Sequence, residues 1–187
     1  AVGAQGASVA PHYDVTLEPG ASCGQVLGAT MDITGNGFDV GSALTIDVGT
    51  YDKSYPSPDT PLSLPHTTSL GVSSYINVPV TFPLTEVDVT VNIDHPNIAD
   101  LDVILSRPGG GTPVYLHNNT QPGVAGIHTT FDDVTAPDGP GSLDDFVGSN
   151  PQGSWRLKII NSGTRTGTLQ NWTLHLKSNI PFNCNPR

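Results

Sequence analysis

Hydrophobic residues recur at every second position along this chain, and no long stretch repeats them at helical spacing. Over 84–95, Val87, Val89, Val91 and Ile93 share one side while Asp88, Thr90, Asn92 and Asp94 share the other. That is the period of a strand with one wet face. Trp155, Leu157 and Ile159 oppose Arg156 and Lys158 in the same way, and Trp172, Leu174 and Leu176 oppose Thr173, His175 and Lys177. Leu101, Val103 and Leu105 form a further run, Val114 with Leu116 a short one, and Tyr13–Leu17, Leu44–Val48 and Ser74–Val80 add extended segments. The pattern predicts an all-β fold, a β-sandwich or jelly-roll of short antiparallel strands. Trp155 and Trp172 lie on the same side as their aliphatic neighbours, which makes them core residues and argues against a sugar-stacking platform.

The strand pattern is uneven from end to end. Residues 1–12 are small and polar without a period, and Tyr51–Pro61 contains Pro56, Pro58 and Pro61, so it reads as an extended turn or linker. The division expected is a lead with extra strands and a Pro-rich linker over 1–58, the main β-domain over 59–178, and a tail over 179–187. Residues 13–51 can add a hairpin to that domain or be the remnant of a preceding linker.

Composition narrows the partners. Seventeen Asp and Glu against seven Lys and Arg give a formal charge of −10, which disfavours nucleic acid and anionic lipid surfaces. With 187 residues the chain is long enough for one sizeable core, and 21 Gly and 17 Pro without a period read as turn punctuation. No apolar stretch is long enough for a transmembrane helix, and Ala1–Gly6 lacks the features of a signal peptide, so a processed or excised fragment is expected. A monomer, secreted or at the cell surface, is the further expectation. Cys23 and Cys184, near opposite ends, suit a disulfide in an oxidising compartment, with a chain-entropy ceiling of about 5 kcal/mol; two buried free thiols are the alternative.

Few residues offer catalysis. Gly20-Ala21-Ser22-Cys23-Gly24 fits the G-x-S-x-G pattern, but no helix follows to expose Ser22 on a sharp turn. The six histidines, His12, His66, His95, His117, His128 and His175, show no metal-ligand spacing. His95 ends a strand beside Pro96, where an imidazole can hold the following loop in shape. The carboxylates offer more. Asp100 and Asp102 flank one loop with Asp94, Asp132 and Asp133 are adjacent, and Asp138, Asp144 and Asp145 follow in a Gly- and Pro-rich segment. Irregular acidic loops supply the hard oxygens calcium prefers, and adjacent Asp residues repel unless a cation or donors offset them. Asp100, Asp102, Asp132, Asp133, Asp138 and Asp144 are the expected calcium ligands; the alternative is a solvated acidic rim.

Several motifs occur in a familiar order: Val87–Ile93 ending at His95, Asp100-Leu101, Ser106-Arg107-Pro108-Gly109-Gly110-Gly111-Thr112, Phe131-Asp132-Asp133, Gly153-Ser154-Trp155 and Gly167-Thr168-Leu169 before a last strand. Together they resemble the P domain (P/Homo B domain) of proprotein convertases and of secreted bacterial subtilisin-like or metallo-proteases. Two departures are Ile98-Ala99 before Asp100, which removes any Arg-Gly-Asp reading, and Arg107 with an extra Gly in the Ser-Pro turn. The resemblance implies a jelly-roll without catalytic residues, partnered by a protease catalytic domain in the same precursor or by a peptide or protein substrate. It gives His95 a structural role and favours calcium. The rival reading is an extracellular carbohydrate-binding or adhesion module, for which Tyr51, Tyr55, Tyr75 and Tyr115 are the available aromatics.

Overall fold

The computed structural model describes residues 26–35, 38–47, 51–66 and 70–178. Strands β1 (Val26–Gly35) and β2 (Phe38–Asp47) pair antiparallel with each other as a two-stranded sheet. The remaining strands are β3 (Tyr51–Pro56), β4 (Leu62–Leu64), β5 (Val72–Val78), β6 (Glu86–Asp94), β7 (Leu101–Ser106), β8 (Val114–Asn118), β9 (Ile127–Phe131), β10 (Gly153–Asn161) and β11 (Gly167–Ser178). They form a four-stranded sheet of order β5-β10-β7-β8 and a five-stranded sheet of order β3-β11-β6-β9, with β4 also on β11. Every pairing is antiparallel. The fold is an all-β sandwich, as the alternation implies.

The inward side of each strand supplies the core. Val89, Val91, Trp172 and Leu174 of the five-stranded sheet and Val103, Leu105, Trp155 and Leu157 of the four-stranded sheet are all fully buried. Burying such side chains contributes about 1.5–3 kcal/mol each. Trp155 packs edge-on against Phe146 with ring centroids 5.2 Å apart, and its indole N–H donates to the Pro151 carbonyl at 2.8 Å. The Trp172 indole N–H donates to the Ser74 hydroxyl at 2.6 Å.

The Pro-rich segment differs from expectation. Tyr51–Pro56 is strand β3, paired with β11 from Tyr51↔Ser178 to Pro56↔Thr173, so the sandwich begins before the linker boundary drawn at residue 58. Pro56 is tolerated because it closes a strand at the sheet edge, where no further ladder bond is required of it. Strand β9 carries no strong sequence signal, since its ends Ile127 and Phe131 are buried while the residues between them are polar.

Candidate functional site

The alternation of β6 ends at Asp94, and the next residue, His95, is buried although polar. Its Nδ1 lies 2.7 Å from the Asn97 carbonyl and its Nε2 3.2 Å from the Arg165 carbonyl, which also accepts the Asn161 amide at 2.7 Å. The Asn97 side chain accepts the Gly123 N–H at 2.8 Å and donates to Asp100 Oδ1 at 2.8 Å. Ser162 donates both its N–H and its hydroxyl to the Asp100 carbonyl, at 2.8 and 3.0 Å. Three loops are thereby fastened across one end of the sandwich. Gly126, at φ +71°, donates to the His95 carbonyl; a Cβ there would meet the Ile93 carbonyl and the His128 ring, so this approach requires glycine.

Two clefts open beside Gly126. One of about 470 Å³ is lined by Asp94, His95, Pro96, His128 and Thr168. Its size suits a small ligand, but its charged groups already meet, with His128 Nε2 3.3 Å from Asp94 Oδ1 and both side chains more than half exposed. The other, of about 290 Å³, lies among Ile98, Val124, Phe131, His117 and Asp138. His117 is buried; its Nδ1 lies 2.9 Å from Asp138 Oδ2 and its Nε2 2.9 Å from the Ile98 carbonyl. Asp138 also accepts the Asn118 N–H at 2.8 Å and the Thr120 hydroxyl. This pair anchors loops. The nearby hydroxyl gives its proton to the carboxylate, so the arrangement is not that of an activated nucleophile.

The expected calcium ligands are dispersed. Asp132 Oδ1 caps its own turn, accepting the N–H groups of Val134 at 2.9 Å and Thr135 at 2.7 Å. Asp133 and Asp144 are exposed, and the Asp144 N–H lies in a capping box formed by Ser142 and Asp145. Asp100 and Asp138 hold the loop contacts above. Asp102 Oδ1 is buried without a hydrogen-bond partner; burial pushes its carboxyl above the usual range, and His117 pulls it back in part. Among the described residues no three His, Cys, Asp or Glu side chains converge well enough to hold a metal ion. The six carboxylates as placed do not fit one calcium ion, which needs six to eight oxygens. Cys23, Cys184 and Ser22 lie outside the described residues. Trp155 and Trp172 are fully buried and offer no sugar platform.

Sequence reasoning missed Ser74, His117 and Asn161, all buried polar residues. Ser74 was legible as the hydroxyl on the inward side of Ser74, Ile76 and Val78. Its partner Trp172, on the other sheet, was not.

The outward faces differ in kind. On the five-stranded sheet, Ser54 Oγ meets His175 Nδ1 at 2.7 Å, His175 Nε2 meets Thr90 Oγ1 at 2.9 Å, and Thr90 meets Thr130 at 2.8 Å. Asn92 donates to Asn171 at 2.7 Å, and Lys177 pairs with Glu86 and, at 3.7 Å, with Asp88. Burial, then the neighbouring Glu86, pushes the Asp88 carboxyl up to about 6, with Lys177 opposing. Burial holds the His175 imidazole below its ordinary value, with Asp52 opposing. On the four-stranded sheet, register aligns Tyr75 with Arg156, Ser73 with Lys158 and Ile104, Ile104 with Tyr115, and Ile160 with Asp102. Tyr75 is 48% exposed and Arg156 is exposed.

A two-sheet antiparallel sandwich, with buried tryptophans and loops tied at one end by histidines and carboxylates, defines a β-sandwich module whose conspicuous polar groups are occupied in holding loops. Residues 84–176 match the proprotein convertase P-domain model, and the chain belongs to that family of non-catalytic accessory domains. The calcium-dependent protease of Nostoc sp. (strain PCC 7120) is 35% identical over 99 residues, covering 51% of this chain and 14% of that protein. The calcium-dependent protease of Trichormus variabilis is 34% identical over 99 residues, with the same coverage. The chain thus spans about a seventh of these relatives. The solved serine protease of Aeromonas sobria shares the fold at a TM-score of 0.53 and 17% identity, over 70% of this chain and 27% of that one. Its complex with the chaperone ORF2 gives a TM-score of 0.51 at 17% identity, over 71% and 28%.

Proposed function

We propose that this chain is the accessory P domain of a secreted protease precursor, supporting the stability, maturation or substrate holding of a neighbouring catalytic domain. The P-domain match over 84–176 carries the reading, and the relatives named as proteases give the partner class. The tryptophans are buried, and of Tyr51, Tyr55, Tyr75 and Tyr115 only Tyr75 is exposed, which leaves the carbohydrate-binding rival a single open aromatic among these residues. Among the described residues no helix is long and apolar enough to cross a membrane. The test is to express the encoded precursor with and without residues 51–178 and to measure the yield of mature peptidase. Loss of mature enzyme in the truncation is expected, and undiminished yield and activity would overturn the reading.

One narrower element belongs to the same proposal. An oxidising location lets Cys23 and Cys184 pair, and titration of the denatured, unreduced chain should find no free thiol. Calcium stays outside this proposal: the relatives are calcium-dependent proteases, but the carboxylates expected to hold the ion are dispersed among the described residues.

A further inference from the structure

Among the described residues Lys177 is the one Lys or Arg that pairs with a carboxylate, meeting Glu86 and Asp88, beside the histidine–carboxylate contacts His117–Asp138 and His128–Asp94. Arg156 and Lys158 are in none, although the chain holds 17 acidic residues. Both project outward from β10, the second strand of the four-stranded sheet. Around them stand apolar side chains: Tyr75 opposite Arg156, Ile104 opposite Lys158, and Ile160 two positions along β10. At Gly71 the chain passes so close that a Cβ would meet the Lys158 stem at 3.1 Å and Ile160 at 3.0 Å, and the preceding Leu70 is 85% exposed. Asp102, at the end of this face beside Ile160, is the carboxylate that register places among these outward positions. Asp59 borders this face too, accepting the Tyr75 N–H at 3.0 Å. Arginine and tyrosine flanked by aliphatic side chains is the composition that recurs at interface centres, in a chain that carries 17 Asp and Glu against seven Lys and Arg.

We infer that the outward face of the four-stranded sheet, centred on Arg156, Lys158, Tyr75 and Ile160, is a docking surface for an acidic protein surface that carries apolar side chains. Resting on the accessory-domain reading, this assigns the docking face and the chemistry of the partner. Charge complementarity selects the occupant. An acidic partner satisfies two cations that have no ion partner among the described residues, whereas a two-fold contact centred on the same residues would set Arg156 and Lys158 of both copies against each other.

The test uses the full chain and two fluorescein-labelled peptides, one with glutamates interspersed with leucines and its lysine-for-glutamate twin. Fluorescence anisotropy at low salt should show the acidic peptide binding. R156E/K158E should weaken it at least tenfold and gain binding of the lysine peptide. K53E/R165E makes the same charge change away from this face and should weaken the acidic peptide less than threefold. Absence of binding to the native chain, or equal losses in the two variants, would overturn the assignment. So would native-chain self-association in sedimentation that R156E/K158E abolishes, because the face would then serve a second copy. All these readouts use the isolated chain, so they fail or succeed independently of the precursor-maturation assay. Melting temperatures close to the native value in both variants separate lost docking from lost folding.

Discussion

The two sheets meet in one core, yet they use their outward polar residues in opposite ways. On the five-stranded sheet a hydrogen-bonded row crosses four strands through Ser54, His175, Thr90 and Thr130, and Lys177 is held by Glu86 and Asp88. Hydroxyls can donate or accept, so the row can serve the His175 imidazole, whose pKa burial lowers, whichever nitrogen carries the proton. On the four-stranded sheet Arg156 and Lys158 stand beside Tyr75 and isoleucines without an ion partner among the described residues. The first face spends its polar groups within the chain. The second carries cations that meet no carboxylate among the described residues, and composition alone would have ranked both simply as wet.

The largest effect should ignore this difference, because both sheets share the core. Trp155→Ala on one sheet and Trp172→Ala on the other should each destabilise by about 3–5 kcal/mol in urea unfolding. A cost below about 1 kcal/mol for either would mean that its sheet is not packed as described. Next in size, Thr90→Val removes a hydroxyl that meets both Thr130 and His175, and should cost about 1 kcal/mol. Arg156→Ala on the opposite face should stay within about 0.5 kcal/mol, as expected of an exposed position with no ion partner among the described residues. Equal costs would erase the contrast.

A smaller, pH-dependent effect should appear at Asp88. Its folded carboxyl lies at about 6, above the ordinary 3.8, so the folded chain binds the extra proton between those values. The stability this gives is present in full below about pH 4 and is lost as pH rises through 6. Asp88→Asn should therefore melt higher than the native chain at pH 7, with the gap closing by pH 4. A gap that widens toward low pH would mean that Lys177 outweighs burial and Glu86. The smallest effect concerns calcium. With no three carboxylates converging among the described residues, melts in millimolar calcium and in chelator at matched ionic strength should coincide. A clear rise with calcium, which mass action would give to any ligand specific for the folded state, would show the acidic loops rearranging into a site.

Much of this was legible from the alternation, and the parts that were not share a cause. A period of two is a local property, so Val87 to Ile93, Trp155 to Ile159 and Trp172 to Leu176 declare their inward sides without reference to any other strand. The strand-terminal His95 and the ordered motifs from Asp100-Leu101 to Gly167-Thr168-Leu169 likewise pointed to the P-domain family from sequence. Clustering along the chain misled for the acids. Asp132 turns back on its own loop while Asp138 reaches His117, so nearness in sequence did not become convergence in space.

The sequence by itself determined that the chain is all-β, which residues form its core and which family it belongs to, because side-chain alternation and short motifs are written in neighbouring positions. The tertiary structure alone decided which wet-facing residues find partners. Ser54 and His175 are 121 positions apart and meet because β3 was drafted onto β11 in one register; slipping that register by one residue would turn each side chain to the other face. Strand order and register, which no local pattern encodes, therefore separate the outward face whose polar groups meet one another from the one whose cations have no ion partner among the described residues.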